Sequence, residues 1–219
     1  MFNFASANFG MVYNDKQLEI ILVAEKLFSE QGFAGTSVRE IAEGAGVNVA
    51  MISYYFNSKE KLMEAIFTER TNRMTEKLEK LLQDDKLSPL EKLNVLVDDY
   101  INKLIEKHKF YKLMYFEQML DNNPAINALV QKLKKTNGEL FAKLIRDGQQ
   151  KKIFRKNIDA VFMIHTMIGT IMHSFMNREI YRSTNNLEHL SDEEFLEQFK
   201  NRLKKYMKDL FKLTILNEA

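Results

Sequence analysis

Two prolines and eight glycines are all that punctuate 219 residues, and this scarcity constrains the fold more than any single motif. A sheet protein turns its chain every few residues and relies on Gly and Pro to do so. A chain interrupted this rarely runs in long helices. The many Lys, Glu, Leu and Met residues agree, because unbranched side chains lose little rotamer freedom in a helix. The length is enough to bury a core, as one domain or as a small domain joined to a larger one.

The apolar positions place the helices. From Asp15 to Gln31, Leu18, Ile21, Leu22, Ala24, Leu27 and Phe28 recur at three- and four-residue spacing, the mark of one helical face, and Gly32 ends the run. Thr36 or Ser37 can cap a second helix, with Glu40 three residues after Ser37 as a capping box requires, and Gly46 stops it. Asn48 can cap a third, short helix from about Val49 to Tyr55, which depends on the first two for its place. A longer helix then runs from Lys59 past Leu81. Pro89 fits the first turn of a helix reaching about Lys107, followed by an aromatic-rich segment, Phe110–Leu120, and a break at Asp121–Pro124. Further helices are predicted from Ala125 to Gln149, from a cap at Asn157 through Phe175, and from Asp192 to about Leu213, with a polar loop over Ser183–Ser191.

The segment Gly32–Leu62, GFAGTSVREIAEGAGVNVAMISYYFNSKEKL, resembles the amino-terminal module of TetR-type regulators. The likeness rests on Thr36-Ser37-Val38-Arg39-Glu40-Ile41-Ala42, on Ala45-Gly46-Val47, and on Tyr54-Tyr55-Phe56 followed by Ser58-Lys59-Glu60. With the first helix it covers about 45 residues. Physical reasons support the same positions: Ala42 and Ala45 let two helices approach, Gly46 permits a sharp turn, and Val47 and Ile52 plug the space between helices. A short helix held in this way fits a major groove, so Val49–Tyr55 is the expected recognition helix. Thr36, Ser37, Tyr54, Tyr55 and Lys59, with backbone amides at helix starts, are the expected phosphate-positioning groups. The resemblance implies DNA-contacting roles for Ser37, Val38, Arg39, Asn48, Val49, Ala50, Met51, Tyr54, Tyr55 and Lys59. The chain departs from the common family pattern at Asn48-Val49, where a small polar or basic pair is frequent, and at Ser53, where tyrosine is frequent.

The expected fold is therefore all-α, with a possible extension over residues 1–14, a helix-turn-helix DNA-binding domain over 15–60 and a larger helical domain over 61–219 for effector binding and dimerisation. Formal net charge is only +2, and residues 1–80 carry nine basic and eleven acidic side chains. Any grip on DNA has to come from local placement of charge, not from a basic domain. Ile164, Ile168, Ile171 and Phe175, with Phe199, Leu203, Met207 and Leu210, are the expected dimer contacts, on the last two large helices to which the resemblance also points. Met114, Tyr115, Met119, Phe141, Phe162, His165, Met167 and Met172 combine soft apolar surface with a few polar handles and are the expected walls of a small-molecule pocket. The sixteen Phe and twelve Met residues serve either as ordinary core or as such a pocket.

Other classes find little support. Cysteine is absent, which removes disulfides and thiolate chemistry and fits a reducing, cytoplasmic setting. His108, His165, His173 and His189 lack the spacing of a helical zinc site, and Gly32, Gly35, Gly44 and Gly46 do not form a phosphate loop. No apolar run approaches a membrane span. The expectation is a regulator, not an enzyme, with no cofactor or metal; its partners are double-stranded operator DNA, a small effector and a second copy of the chain, and no membrane. A helical protein-interaction adaptor that lost DNA binding is the alternative that Val49, Met51 and the acidic balance leave open.

Overall fold

The protein is described by a computed structural model covering residues 13–120 and 124–216. The expected extension before Tyr13 and the break at Asp121–Asn123 lie outside the described residues. Among the described residues ten helices follow in chain order: α1 (Asp15–Gly35), α2 (Val38–Gly44), α3 (Val49–Phe56), α4 (Lys59–Gln83), α5 (Pro89–Glu106), α6 (His108–Leu120), α7 (Pro124–Gln150), α8 (Ala160–Met176), α9 (Arg178–Thr184) and α10 (Asp192–Ile215). Strand pairing among the described residues is limited to one isolated bridge, Phe154 with Leu216.

Side-chain caps explain most helix starts. Asn14, Ser37, Ser88 and Ser191 each form a reciprocal capping box with the residue three positions on, satisfying two otherwise orphan amides. Of the two candidates for α2, Ser37 is the cap. The expected cap of α8, Asn157, is displaced by Asp159, whose carboxylate accepts hydrogen bonds from the amides of Val161 and Phe162. A carboxylate takes two amides at once and suits the positive end of a helix. The short helix α9 occupies chain that periodicity had not marked, since its seven residues bury nothing.

The chain divides into two compact units. The first holds the described residues as far as Lys77 together with His108–Lys135. Its core joins Ile20, Phe28, Ile41, Ile52 and Ile66 to Phe110, Ile126 and Val130. This unit is larger than the segment 15–60 marked out by sequence, because α6 packs along α1 and the start of α7 contributes to the same core. A partly buried ion pair also ties α1 to α4, with Arg70 Nε 2.6 Å from Glu25 Oε2. The second unit holds Leu78–Lys107 and the chain from Thr136 onward. There α5 packs against both α8 and α10, and Leu93, Val97, Ile101 and Leu104 are fully buried along it.

Candidate nucleic-acid interface

The first unit presents its short helices from a packed base. At the start of α2, Ser37 Oγ accepts the amide of Glu40 at 3.2 Å, while Glu40 Oε2 accepts both the Ser37 amide and its hydroxyl at 2.7 Å. These bonds hold the Glu40 carboxyl below its ordinary range, the hydroxyl contributing most. Arg39 projects outward, while Val38 packs partly against the core. Thr36 is different from its neighbour: at 1% exposure it is buried, and its hydroxyl donates to the Gly32 carbonyl at 2.9 Å. The side chain expected at a phosphate is thus one of the ties that close the α1–α2 turn.

The turn into α3 needs the left-handed backbone of Gly46, at φ 60°, a conformation that costs other residues steric strain. Asn48 Oδ1 then caps α3 by accepting the Met51 amide at 2.9 Å. Ile52 and Phe56 point into the core, four residues apart. The opposite face carries Ala50, Ser53 and Tyr54, with Val49 exposed beside them at the helix start. Tyr54 is 81% exposed, and Tyr55 stacks edge-on between it and Phe56, with ring centroids 5.2 and 6.3 Å away. Met51 and Tyr55 are half-buried. Ser53, which sequence comparison with the common pattern marked only as a departure, stands on the outward face. Its position four residues after Val49 was the signal that could have placed it there.

Lys59, at the first turn of α4, is tethered within the unit. Its ammonium donates to the carbonyls of Phe33 at 2.9 Å and Thr36 at 3.0 Å, and lies 4.4 Å from the centre of the Phe33 ring. Two of its three N–H groups therefore bind the end of α1 and the approach to α2. The charge sits where a phosphate at the α2 terminus would feel it, but the contacts in hand are internal.

The residues expected to line a pocket are divided between the units. Met114, Tyr115 and Met119 belong to the first, where Met114 packs against the core and Tyr115 and Met119 are exposed. Phe141, Phe162, His165, Met167 and Met172 belong to the second, where Phe141 and Met167 are buried and Phe162 and His165 are exposed. A cleft of about 280 Å³ opens in the second unit between the start of α8 and the end of α10, lined by Phe162, Met163, Leu210 and Ile215 among others. Its hydroxyls are used within the helices: Thr166 donates to the Phe162 carbonyl and Thr214 to that of Leu210.

The expected dimer residues separate by face. Ile171, Phe175, Phe199, Leu203 and Met207 are buried inside the second unit, and Ile164, Ile168 and Leu210 are half-buried. What α8 turns outward is another stripe, Phe162, His165, Gly169, His173 and Met176, at 72% exposure for Phe162 and 61% for Met176. On α10 the outward apolar residues are Tyr206 and Leu213. Apolar side chains all round α8 concealed from periodicity which stripe its own chain covers.

A capped short helix, presented beyond a glycine turn and sharing a core with α1 and α2, defines a helix-turn-helix module. The family description "Bacterial regulatory proteins, tetR family" matches residues 20–66, and "Tetracyclin repressor-like, C-terminal domain" matches residues 89–204, more than half the chain by itself. The chain belongs to the TetR family of bacterial transcriptional regulators. It is 33% identical over 135 residues to the "Probable HTH-type transcriptional regulator YttP" of Bacillus subtilis, a match covering 61% of this chain and 65%, just under two thirds, of that relative. The fold is similar to that of FadR from Bacillus subtilis, determined in complex with stearoyl-CoA, with a TM-score of 0.65 and 20% identity over 87% of this chain and 96% of that one. It is similar as well to the ketosteroid transcriptional regulator KstR2 of Mycobacterium tuberculosis, with a TM-score of 0.66 and 20% identity over 94% of this chain and 98% of that one. No described helix is long and apolar enough to cross a membrane.

Proposed function

We propose that this protein is a ligand-responsive repressor that binds a pseudo-palindromic operator as a homodimer and leaves it when an apolar or amphipathic effector binds. The observation that carries the reading is α3 itself: Ile52 and Phe56 anchor it while Val49, Ala50, Ser53 and Tyr54 stand free of the core. One eight-residue helix reads few base pairs, and a dyad doubles the readout. Arg39, Ser37 and the tyrosine hydroxyls, with the amides opening α2, grip the phosphates, and Lys59 sets the geometry of that grip from within.

The outward stripe of α8, with Tyr206 and Leu213 of α10, is the dimer surface in this reading. Gly169 allows two helices to come close there, and Met176 can adapt to the facing surface. The effector is amphipathic with a long apolar part, of the kind that stearoyl-CoA represents in FadR. It acts by binding one conformation of the dimer more tightly than the other. The chain passes from one unit to the other within α4, between α5 and α6, and within α7, so the continuous helices α4 and α7 can carry the response.

Selection of genomic fragments by the purified protein, followed by footprinting, tests the reading. A protected inverted repeat whose affinity falls steeply with salt, and which is released by a long-chain acyl-CoA or another amphipathic ligand from a screen, is the expected result. Failure to enrich any fragment would return the chain to the adaptor class.

A further inference from the structure

Hydrogen-bonding side chains are scarce on the reading face. The residues that dominate major-groove recognition by paired hydrogen bonds are Arg, Lys, Asn and Gln. In α3 the outward positions hold Val49, Ala50, Ser53 and Tyr54, and Met51 is half-buried. Asn48, the single amide at this end, has its oxygen engaged by the Met51 amide, which fixes the side chain at the helix start. Val49 and Ala50 thus present exposed methyl groups at the first turn, the part of a recognition helix that goes deepest into the groove.

Only one base edge in the major groove answers a methyl with a methyl. Thymine carries its C5 methyl there, whereas guanine and adenine present acceptors and a donor, and cytosine a donor. Burying Val49 and Ala50 against a cytosine amino group or a guanine oxygen would leave that polar atom without a partner, which costs free energy. We infer that Val49 and Ala50 of α3 select thymines by contact with their C5 methyl groups, so that each operator half-site has a thymine-centred core. This rests on the operator-binding reading given above. Ser53, four residues beyond Val49, and Tyr54, four beyond Ala50, flank the same two columns and supply hydroxyls to the neighbouring bases or phosphates.

Duplexes enriched by the full-length protein from a random-sequence library provide the probe. Each enriched duplex is resynthesised with deoxyuridine replacing thymidine at one position at a time, which removes the C5 methyl and keeps the base pair. The expected result is a loss of roughly fourfold in affinity at one or two thymines per half-site, the scale of one buried methyl. Uracil also alters local DNA shape, so the same series is run with Val49→Ala, an exposed position whose change leaves the fold intact. The uracil penalty is expected to shrink in that variant at the position facing residue 49. An enriched duplex that binds equally well with uracil throughout, or a penalty unchanged in Val49→Ala, overturns the inference while leaving operator binding standing. No enrichment at all overturns both.

Discussion

Lys59 shows how a cation expected at a phosphate can be engaged inside the fold. Its ammonium joins the Phe33 and Thr36 carbonyls and rests over the Phe33 ring, so it sets the angle at which α2 leaves α1. Replacement by methionine keeps the length of the side chain and removes the donors. Lys59→Met is expected to weaken operator affinity several-fold and lower the melting temperature, with the slope of log affinity against log salt nearly unchanged. Loss of a phosphate contact would instead reduce that slope by about 0.9. Titration of operator binding across salt concentrations separates the two. Sequence had singled out this lysine for its charge at a helix start, and its place in the chain was legible. Its partners were not, since Phe33 and Thr36 lie 26 and 23 residues away and meet it only after α1 and α4 have packed. Thr36 teaches the same point in reverse. A threonine beside a helix cap looks like a phosphate ligand until its hydroxyl is seen to close the preceding turn.

Helix starts were the most legible elements, because a capping box is a local contract between residues three apart. The Glu40 carboxyl is held low by Ser37, so the box adds stability above the ordinary carboxylate range and loses it as pH falls through the depressed value. Glu40→Gln is accordingly expected to flatten the acid side of the stability profile of the first unit, below about pH 4, as followed by thermal melts across that range. A contact across the following turn governs the end of α7 instead. Gly148 meets the buried ring of Phe154 so closely that a Cβ there would lie 2.0 Å from it. The same turn is held by Gln149 Nε2, which donates to the Arg155 and Lys156 carbonyls, and by Arg155, whose amide donates to the Ile215 carbonyl at 2.8 Å. Gly148→Ala should cost about 1–3 kcal/mol by overpacking, measured by denaturant unfolding. Nothing in the sequence around Gly148 announces this, since the ring folds back on it across a turn that periodicity does not describe.

At the level of the whole molecule, the unsettled surface is the outward side of α8. A Cβ on Gly169 meets no atom within 4 Å, so a larger residue has room in the isolated chain and would improve the helix by removing a glycine. If two copies meet along this stripe, the same change blocks their approach. Gly169→Lys is therefore expected to yield a folded monomer at concentrations where the parent chain is a dimer, by analytical ultracentrifugation, and to lose operator affinity with it. A dimer of unchanged strength would move the interface elsewhere. Much of the architecture could be read from residue order: sparse glycine and proline demanded helices, serine and asparagine caps marked their starts, and spacing along Gly32–Leu62 carried the family. Those are short-range properties, decided by a residue and its neighbours within one turn. Packing decided the rest. Helical spacing shows that α8 is apolar on several sides, but only packing within the second unit, where α5 lies against α8, makes Ile171 and Phe175 interior and leaves Phe162 and Met176 outside. In the same way the short helix α3 was visible from its sequence, whereas the tether between the starts of α4 and α2, Lys59 on two distant carbonyls, exists only once the chain has brought them together.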